Sequence, residues 1–168
     1  MDSIPQFLIA APTSGSGKTT VSRGLMALFV KKGLKVQPFK CGPDYIDTKY
    51  HEAVCGRPSI NLDTFMASPE HVRSLYARYS ADADVAVVEG MMGMYDGYDR
   101  DRGSSAEVAR LLGIPVVLVV DAKSAAIPWL LCCRGSSISV RIYVLRELSS
   151  IVSAHPTTTG CCRRSVKT

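Results

Sequence analysis

The chain has 168 residues, 46% of them hydrophobic, and a formal net charge of +5, which fits one ordinary domain with a core. No apolar run approaches the roughly 20 residues needed to span a bilayer, and no stretch reads as a signal peptide, so the cytoplasm is the expected compartment and no membrane partner is expected. Residues 1–126 hold 14 basic and 14 acidic residues, whereas residues 127–168 hold six basic and one acidic; that basic tail lacks the aromatic interleaving and dense clustering of a nucleic-acid surface, so no nucleic-acid partner is expected.

PQFLIAAP, near the start, reads as a strand running into the loop TSGSGK. TTVSRGLMALFVKKG follows as a helix, with Val21, Leu25, Leu28 and Phe29 as its apolar face and Gly33 just beyond its end. LKVQPFK is a second strand, and CGPDYIDTKYHEAVCG a loop leading into a short helix. SPEHVRSLYARYSAD is a helix that starts at Ser68 or Pro69. ADVAVVEG is a buried strand ending in Glu89, SSAEVARLLG a helix capped by Ser104 or Ser105 and closed by Gly113, and IPVVLVVDA a buried strand ending in Asp121. Short apolar strands alternating with helices predict βαβ units and a parallel sheet. In such sheets ligands sit at the carboxyl ends of the strands, where Pro12, Asp44, Asp47, Glu89, Asp96 and Asp121 all fall.

The first strand–loop–helix is the context a phosphate-binding loop requires. Gly15 and Gly17 permit tight turns and close approach. Backbone N–H groups from Ser14 to Thr19 can form an anion nest at the positive end of the helix. Lys18 can reach β/γ-phosphates, Thr19 can place its hydroxyl on Mg²⁺, and Ser16 and Thr20 are nearby phosphate contacts. ATP and Mg²⁺ are therefore the expected cofactors. Pro12 stands where the strict motif has glycine; it has no N–H, but can hold the loop entry.

Metal–nucleotide chemistry needs carboxylates near the phosphates. Glu89, in a Walker-B-like position, can hold Mg²⁺ directly or through water; the alternative is a plain strand-end acid. Asp44 and Asp47, three apart, can converge on metal or substrate; the alternative is an Asx-turn pair. In MMGMYDGYDR, Gly90 and Gly93 leave room for a bound group, Asp96 sits at the loop tip, and the exposed Met and Tyr suit a large, partly apolar substrate; the alternative is a loop packed back on the sheet. Asp121 is expected to be structural more than catalytic, and His51 to serve packing or substrate contact. Cys132–Cys133 and Cys161–Cys162 are adjacent pairs, a poor spacing for zinc.

APTSGSGKTT, KCGPDYIDTKYH, NLDTFM, VVEGMMGMYDG and GSSAEVARLLGIPVVLVVDAKSAA together resemble the N-terminal domain of the cobyrinic (or hydrogenobyrinic) acid a,c-diamide synthase family, over about residues 5–126. Dethiobiotin synthetase looks like a relative of the same fold, so the resemblance implies a P-loop NTPase-like, dethiobiotin-synthetase-like parallel sheet flanked by helices. It implies ATP-dependent phosphorylation of the a and c carboxylates of a corrin ring, followed by displacement with ammonia from a C-terminal class I glutaminase domain, in cobalamin biosynthesis. It assigns the triphosphate and Mg²⁺ to Lys18 and Thr19, the metal and the transferring phosphoryl to Asp44, Asp47 and Glu89, and substrate handling or catalysis to Asp96. A corrinoid is the implied substrate, and a homodimer is one expected assembly of the intact enzyme. Alternatives are another carboxylate-activating ligase of the dethiobiotin synthetase type, or a nucleotide-dependent switch or metallochaperone. Thr13, where MinD-like switches carry a second lysine, counts against the last.

The resemblance ends after DAKSAA. Residues 1–126 are thus expected to be an incomplete ATP-binding amidoligase domain with an exposed sheet edge, and the chain an inactive, marginally folded fragment. Residues 127–168 are expected to be a frameshifted, poorly packed tail; a variant C-terminal element is the alternative. In the shifted frame, codons within the degeneracy for Ile127-Pro128-Trp129 give Tyr-Ser-Val, and those for Ile142 to Val152 can give Asp-Ile-Arg-Val-Ala-Gly-Val-Ile-Phe-Asn-Ser, which resembles the next strand of the family. Reading the coding DNA should show a one-base loss near codon 127 and a glutaminase domain in the restored frame. A downstream frame without one contradicts the shift.

Overall fold

Alternation along the strands builds two cores, one on each face of a single sheet. The computed structural model describes residues 4–121 and 140–145. The elements are β1 (Gln6–Ala10), α1 (Lys18–Lys31), β2 (Val36–Cys41), α2 (Asp47–Cys55), β3 (Ile60–Leu62), α3 (Pro69–Ser80), β4 (Val85–Glu89), α4 (Ser105–Leu112), β5 (Val116–Asp121) and β6 (Val140–Leu145). The strands lie in the order β3-β2-β4-β1-β5-β6, and each neighbouring pair is parallel. This is a P-loop NTPase-like α/β fold. No helix among the described residues is long and apolar enough to cross a membrane.

Leu8 and Ala10 of β1, Phe39 of β2, Val88 of β4 and Leu118 of β5 pack with Val72 and Tyr76 of α3 and Ala106 and Val108 of α4. Ile9, Val36, Val87 and Val119 point to the other face and meet Met26 of α1. Both faces of the central strands are covered, which is why these strands read as continuous apolar runs. Pro38 is tolerated inside β2 because the pairing with β3 begins only at Phe39.

The helix ends follow the sequence. The Ser68 side chain accepts the His71 N–H, with Pro69 in the first turn of α3. The Ser104 hydroxyl accepts the Glu107 N–H at the start of α4, and Gly113 closes that helix in the left-handed region. Three features differ from the sequence reading. Leu28 is 45% exposed, whereas Val21, Leu25 and Phe29 pack against the core as read, and the fully buried residues of α1 are Lys18, Ser22 and Met26. β3 is a strand of only three residues, too short to show an alternation. The edge of β5 is not open, since VRIYVL at Val140–Leu145 pairs with it in parallel; that alternating, β-branched stretch suits a strand. Apart from this strand, the tail expected to pack poorly lies outside the described residues, as do its cysteine pairs.

The two α1 positions separate the readings in a stability measurement. Met26→Ala should cost about 2–5 kcal/mol and Leu28→Ala about 0.5 kcal/mol or less in denaturant melts. Equal losses would contradict the observed helix orientation.

Candidate functional site

Gly15 and Gly17 take φ of 77° and 86°, so both need the left-handed backbone that glycine permits. Gly17 also precedes α1 with no side-chain cap. The first N–H groups of this helix are therefore left for an anion. Lys18 is buried, and its Nζ donates to the carbonyl of Met92. Burial lowers its pKa, helped by the Lys40 charge. The Thr19 Oγ1 donates to Glu89 Oε1 at 2.7 Å. Ser14, Gly15, Gly17, Lys18, Thr19 and Thr20 line a cavity of about 550 Å³ together with Asp44, Asp47 and Glu89, a size that suits a small-molecule site. Ser16 is not among its lining; its hydroxyl is engaged with Thr13 Oγ1 and the Thr13 carbonyl.

Behind the loop stands a polar quartet in which Lys40, His51 and Glu89 are buried and Asp47 is half-buried. Lys40 and Glu89 are partners in the β2–β4 register, and Lys40 Nζ lies 3.1 Å from Glu89 Oε1. Lys40 also donates to Asp47 Oδ2 at 2.7 Å. His51 Nε2 lies 2.8 Å from Glu89 Oε2. Asp47 and His51 are one turn apart on α2, so one helix face covers both members of the strand pair. Glu89 and His51 are each 0% exposed. Burial would raise the Glu89 pKa, but the His51 hydrogen bond, the Lys40 charge and the Thr19 hydroxyl pull it down to about 2. Burial works against the charge on Lys40, yet Glu89 and Asp47 outweigh it and raise its pKa. The quartet therefore holds a carboxylate and an ammonium, both ionised, beside the phosphate loop.

Lys40 was not singled out from the sequence, although a lysine inside an apolar strand and directly before CGPD was a usable signal. His51 turns out to contact Glu89, and is neither simple packing nor an open substrate contact. Asp44 takes the Asx-turn alternative: its Oδ1 accepts the N–H groups of Ile46 and Asp47, each at 2.9 Å. Burial opposes its ionisation, but those N–H groups and Lys40 keep its pKa low. Asp96 is exposed and is not among the residues lining the cavity; its Oδ2 accepts the Gly93 N–H at 2.8 Å and so shapes the loop. Asp121 ends β5, as expected for a strand-end acid.

Gly90 and Gly93 both make room for neighbouring parts of the protein, and Gly90 also lines the cavity. A Cβ at Gly90 would lie 2.7 Å from Ser105 Oγ, and one at Gly93 would lie 2.5 Å from the Pro12 carbonyl oxygen. The loop is divided accordingly: Met94 is buried in the core, while Met92, Tyr95 and Tyr98 stay exposed. Phe65, on the loop after β3, meets Tyr98 edge-on at 4.8 Å. Tyr45, Ile46 and Met66 add exposed apolar surface to loops at this same end of the sheet. Cys41 lines the cavity, but burial pushes its thiol up to about 12, so it is no ready nucleophile.

The parallel sheet, the glycine-built loop and the Lys18–Thr19 pair at the head of α1 define a P-loop nucleotide-binding domain. The chain belongs to the CobQ/CobB/MinD/ParA nucleotide binding domain family, whose model matches residues 7–132. It is 53% identical over 121 residues to a cobyrinate a,c-diamide synthase of Caldanaerobacter subterraneus subsp. tengcongensis, covering 71% of this chain and 26% of that protein. It is likewise 53% identical over 123 residues to a hydrogenobyrinate a,c-diamide synthase of Streptomyces coelicolor, covering 72% of this chain and 25% of that protein. The chain thus spans about a quarter of the length of the curated relatives it matches. Among solved structures it resembles the signal recognition particle receptor FtsY of Elizabethkingia anophelis, with a TM-score of 0.58 at 16% identity over 84% of this chain and 51% of that one. That likeness bears on the fold alone.

The Glu89 environment has a pH signature. A carboxylate held at about 2 instead of its ordinary 4.5 adds stability above the ordinary value, and that stability is lost as pH falls toward the lower one. Unfolding free energy should therefore drop between these two pH values, and Glu89→Gln should flatten the drop. An unchanged slope in urea melts of the variant would assign the loss to other acids.

Proposed function

We propose that this chain carries the ATP-using chemistry of a corrin a,c-diamide synthase. A carboxylate oxygen of cobyrinic or hydrogenobyrinic acid attacks the γ-phosphorus of ATP. The bond to the bridging oxygen breaks, and ADP leaves with the electron pair. Ammonia, drawn from glutamine in the intact enzyme, then attacks the acyl carbon. The carbon–oxygen bond to phosphate breaks, phosphate departs, and the nitrogen loses a proton to solvent. The observation that carries this reading is the convergence of Lys18, Thr19, Glu89 and Lys40 on one cavity, at the end of the sheet where Tyr45, Ile46, Phe65, Met92 and Tyr98 are exposed. Anionic and broad apolar ligands are thereby served side by side. The names of the similar proteins supply the corrin.

A carboxylate is a poor electrophile and a poor match for a triphosphate, since both are anionic. Lys18 and the N–H groups of the loop would bind the phosphates. Lys40 offsets part of the negative charge of Asp47 and Glu89, which weakens their repulsion of the incoming substrate. Mg²⁺ fits the hard oxygens of Thr19 and Glu89, because it takes only one or two protein carboxylates and completes its shell with phosphate and water. Among the described residues no three His, Cys, Asp or Glu side chains form a metal cluster of their own, and Asp44 and Asp47 point their charge at backbone N–H groups and Lys40. When bound, Mg²⁺ would screen the charge that builds on the transferring phosphoryl group. The apolar loops at this end would keep water from the acyl phosphate.

Incubating the protein translated in the restored frame with ATP, Mg²⁺, cobyrinic acid and hydroxylamine should give a corrin hydroxamate, and with ammonia two added amides by mass. Lys18→Ala should lower the rate by about 100-fold or more, as expected when a group that stabilises the transition state is lost. ATP hydrolysis that is indifferent to the corrin would instead favour a nucleotide-dependent switch.

A further inference from the structure

His51 is a buried, nitrogen-bearing side chain to which the reaction above gives no part. Its ring joins two elements: Nε2 reaches Glu89 Oε2 at 2.8 Å, and Nδ1 lies 3.1 Å from Ser59 Oγ. An ionised carboxylate can only accept, so Nε2 carries the hydrogen. The partners of Glu89 are divided between its two oxygens. Thr19 and Lys40 both use Oε1, and His51 faces Oε2. The terminal torsion of a glutamate is broad and nearly two-fold. Contacts to Oε1 alone leave the carboxylate plane free to swing. A cation drawing on Oε1 would also compete with the Thr19 and Lys40 hydrogen bonds, whereas the His51 bond would survive.

We propose that His51 is a positioning residue: its Nε2–H fixes the plane of Glu89, so that Oε1 keeps facing Thr19 and the phosphate loop, where a divalent cation accompanying the nucleotide is held. Because α2 starts at Asp47, the same helix that pairs with Lys40 also orients the carboxylate. The loop before α2 and the nucleotide side of the site are thereby connected through one helix face. This role rests on the Mg²⁺–nucleotide reading above.

Two amides separate positioning from packing. The Nε of glutamine is as many bonds from Cα as the Nε2 of histidine, so His51→Gln keeps a donor for Glu89. Asparagine reaches only the place of Nδ1, so His51→Asn keeps the Ser59 side and loses Glu89. Calorimetric titration of the full chain with ATP, with Mg²⁺ and with EDTA, reads the result. His51→Gln should bind Mg²⁺–ATP within about threefold of wild type, while His51→Asn should bind it at least about tenfold more weakly, the lower range for lost outer-layer metal partners. In EDTA the three proteins should agree within about twofold. The same order should appear without any ligand, with His51→Gln melting above His51→Asn. Equal loss in both variants, no loss in His51→Asn, or a loss that persists in EDTA would overturn the role. Should His51→Asn fail to fold, a tenfold Mg²⁺-dependent loss in His51→Gln alone would overturn it. A wild-type chain that does not bind Mg²⁺–ATP would overturn the function proposed above, and this role with it.

Discussion

The pairing of Lys40 with Glu89 across β2 and β4 is the constraint on which the site depends. Two full charges stand inside a sheet covered on both faces, and burial penalises each of them. They are retained because each is satisfied several times over: Glu89 by Thr19, Lys40 and His51, and Lys40 by Glu89, Asp47 and the Gly90 carbonyl. Removing one member of such a set typically costs about 3–5 kcal/mol, because the partner is left charged and unpaired. That penalty ties the register of the sheet, the position of α2 and the head of α1 to one another. A slip of either strand by one residue would leave Lys40 and Glu89 on opposite faces of the sheet.

The phosphate loop needs this support. Its own geometry comes from Gly15 and Gly17, and it contributes N–H groups with no side-chain cap. Lys18, its main cation, is anchored on the Met92 carbonyl and so joins the loop after β1 to the loop after β4. Thr19 makes the second link between those elements, through Glu89. The cavity is therefore lined from both strands, and Lys40 joins its lining from β2.

Much of this was legible in the sequence. The loop, its two glycines, Lys18 and Thr19 follow a local pattern, and the acids at the strand ends follow from the parallel sheet. Ser68 and Ser104 announced their helices. What was hidden depends on contacts distant in the chain. Lys40 and Glu89 are 49 positions apart, and His51 and Glu89 are 38 apart; no local periodicity registers such pairings. Asp44 and Asp47 looked equivalent in GPDYID, but one is spent on an Asx turn and the other on Lys40. Gly90 and Gly93 looked like space for a ligand; Gly90 does line the cavity, but Ser105 and Pro12 crowd the two glycines as well. Lys40 was not singled out at all and the Asx turn of Asp44 was one of two readings, while for Asp47 and His51 the partner was what the sequence did not show.

The central claim is that a carboxylate oxygen of the substrate attacks a phosphoryl group held above this quartet. Oxygen-18 placed in the corrin carboxylates, with ATP, Mg²⁺ and ammonia supplied to the protein translated in the restored frame, follows that oxygen directly. Each amide formed should deliver one labelled oxygen to inorganic phosphate, read by mass spectrometry. Unlabelled phosphate released alongside amide would contradict the account.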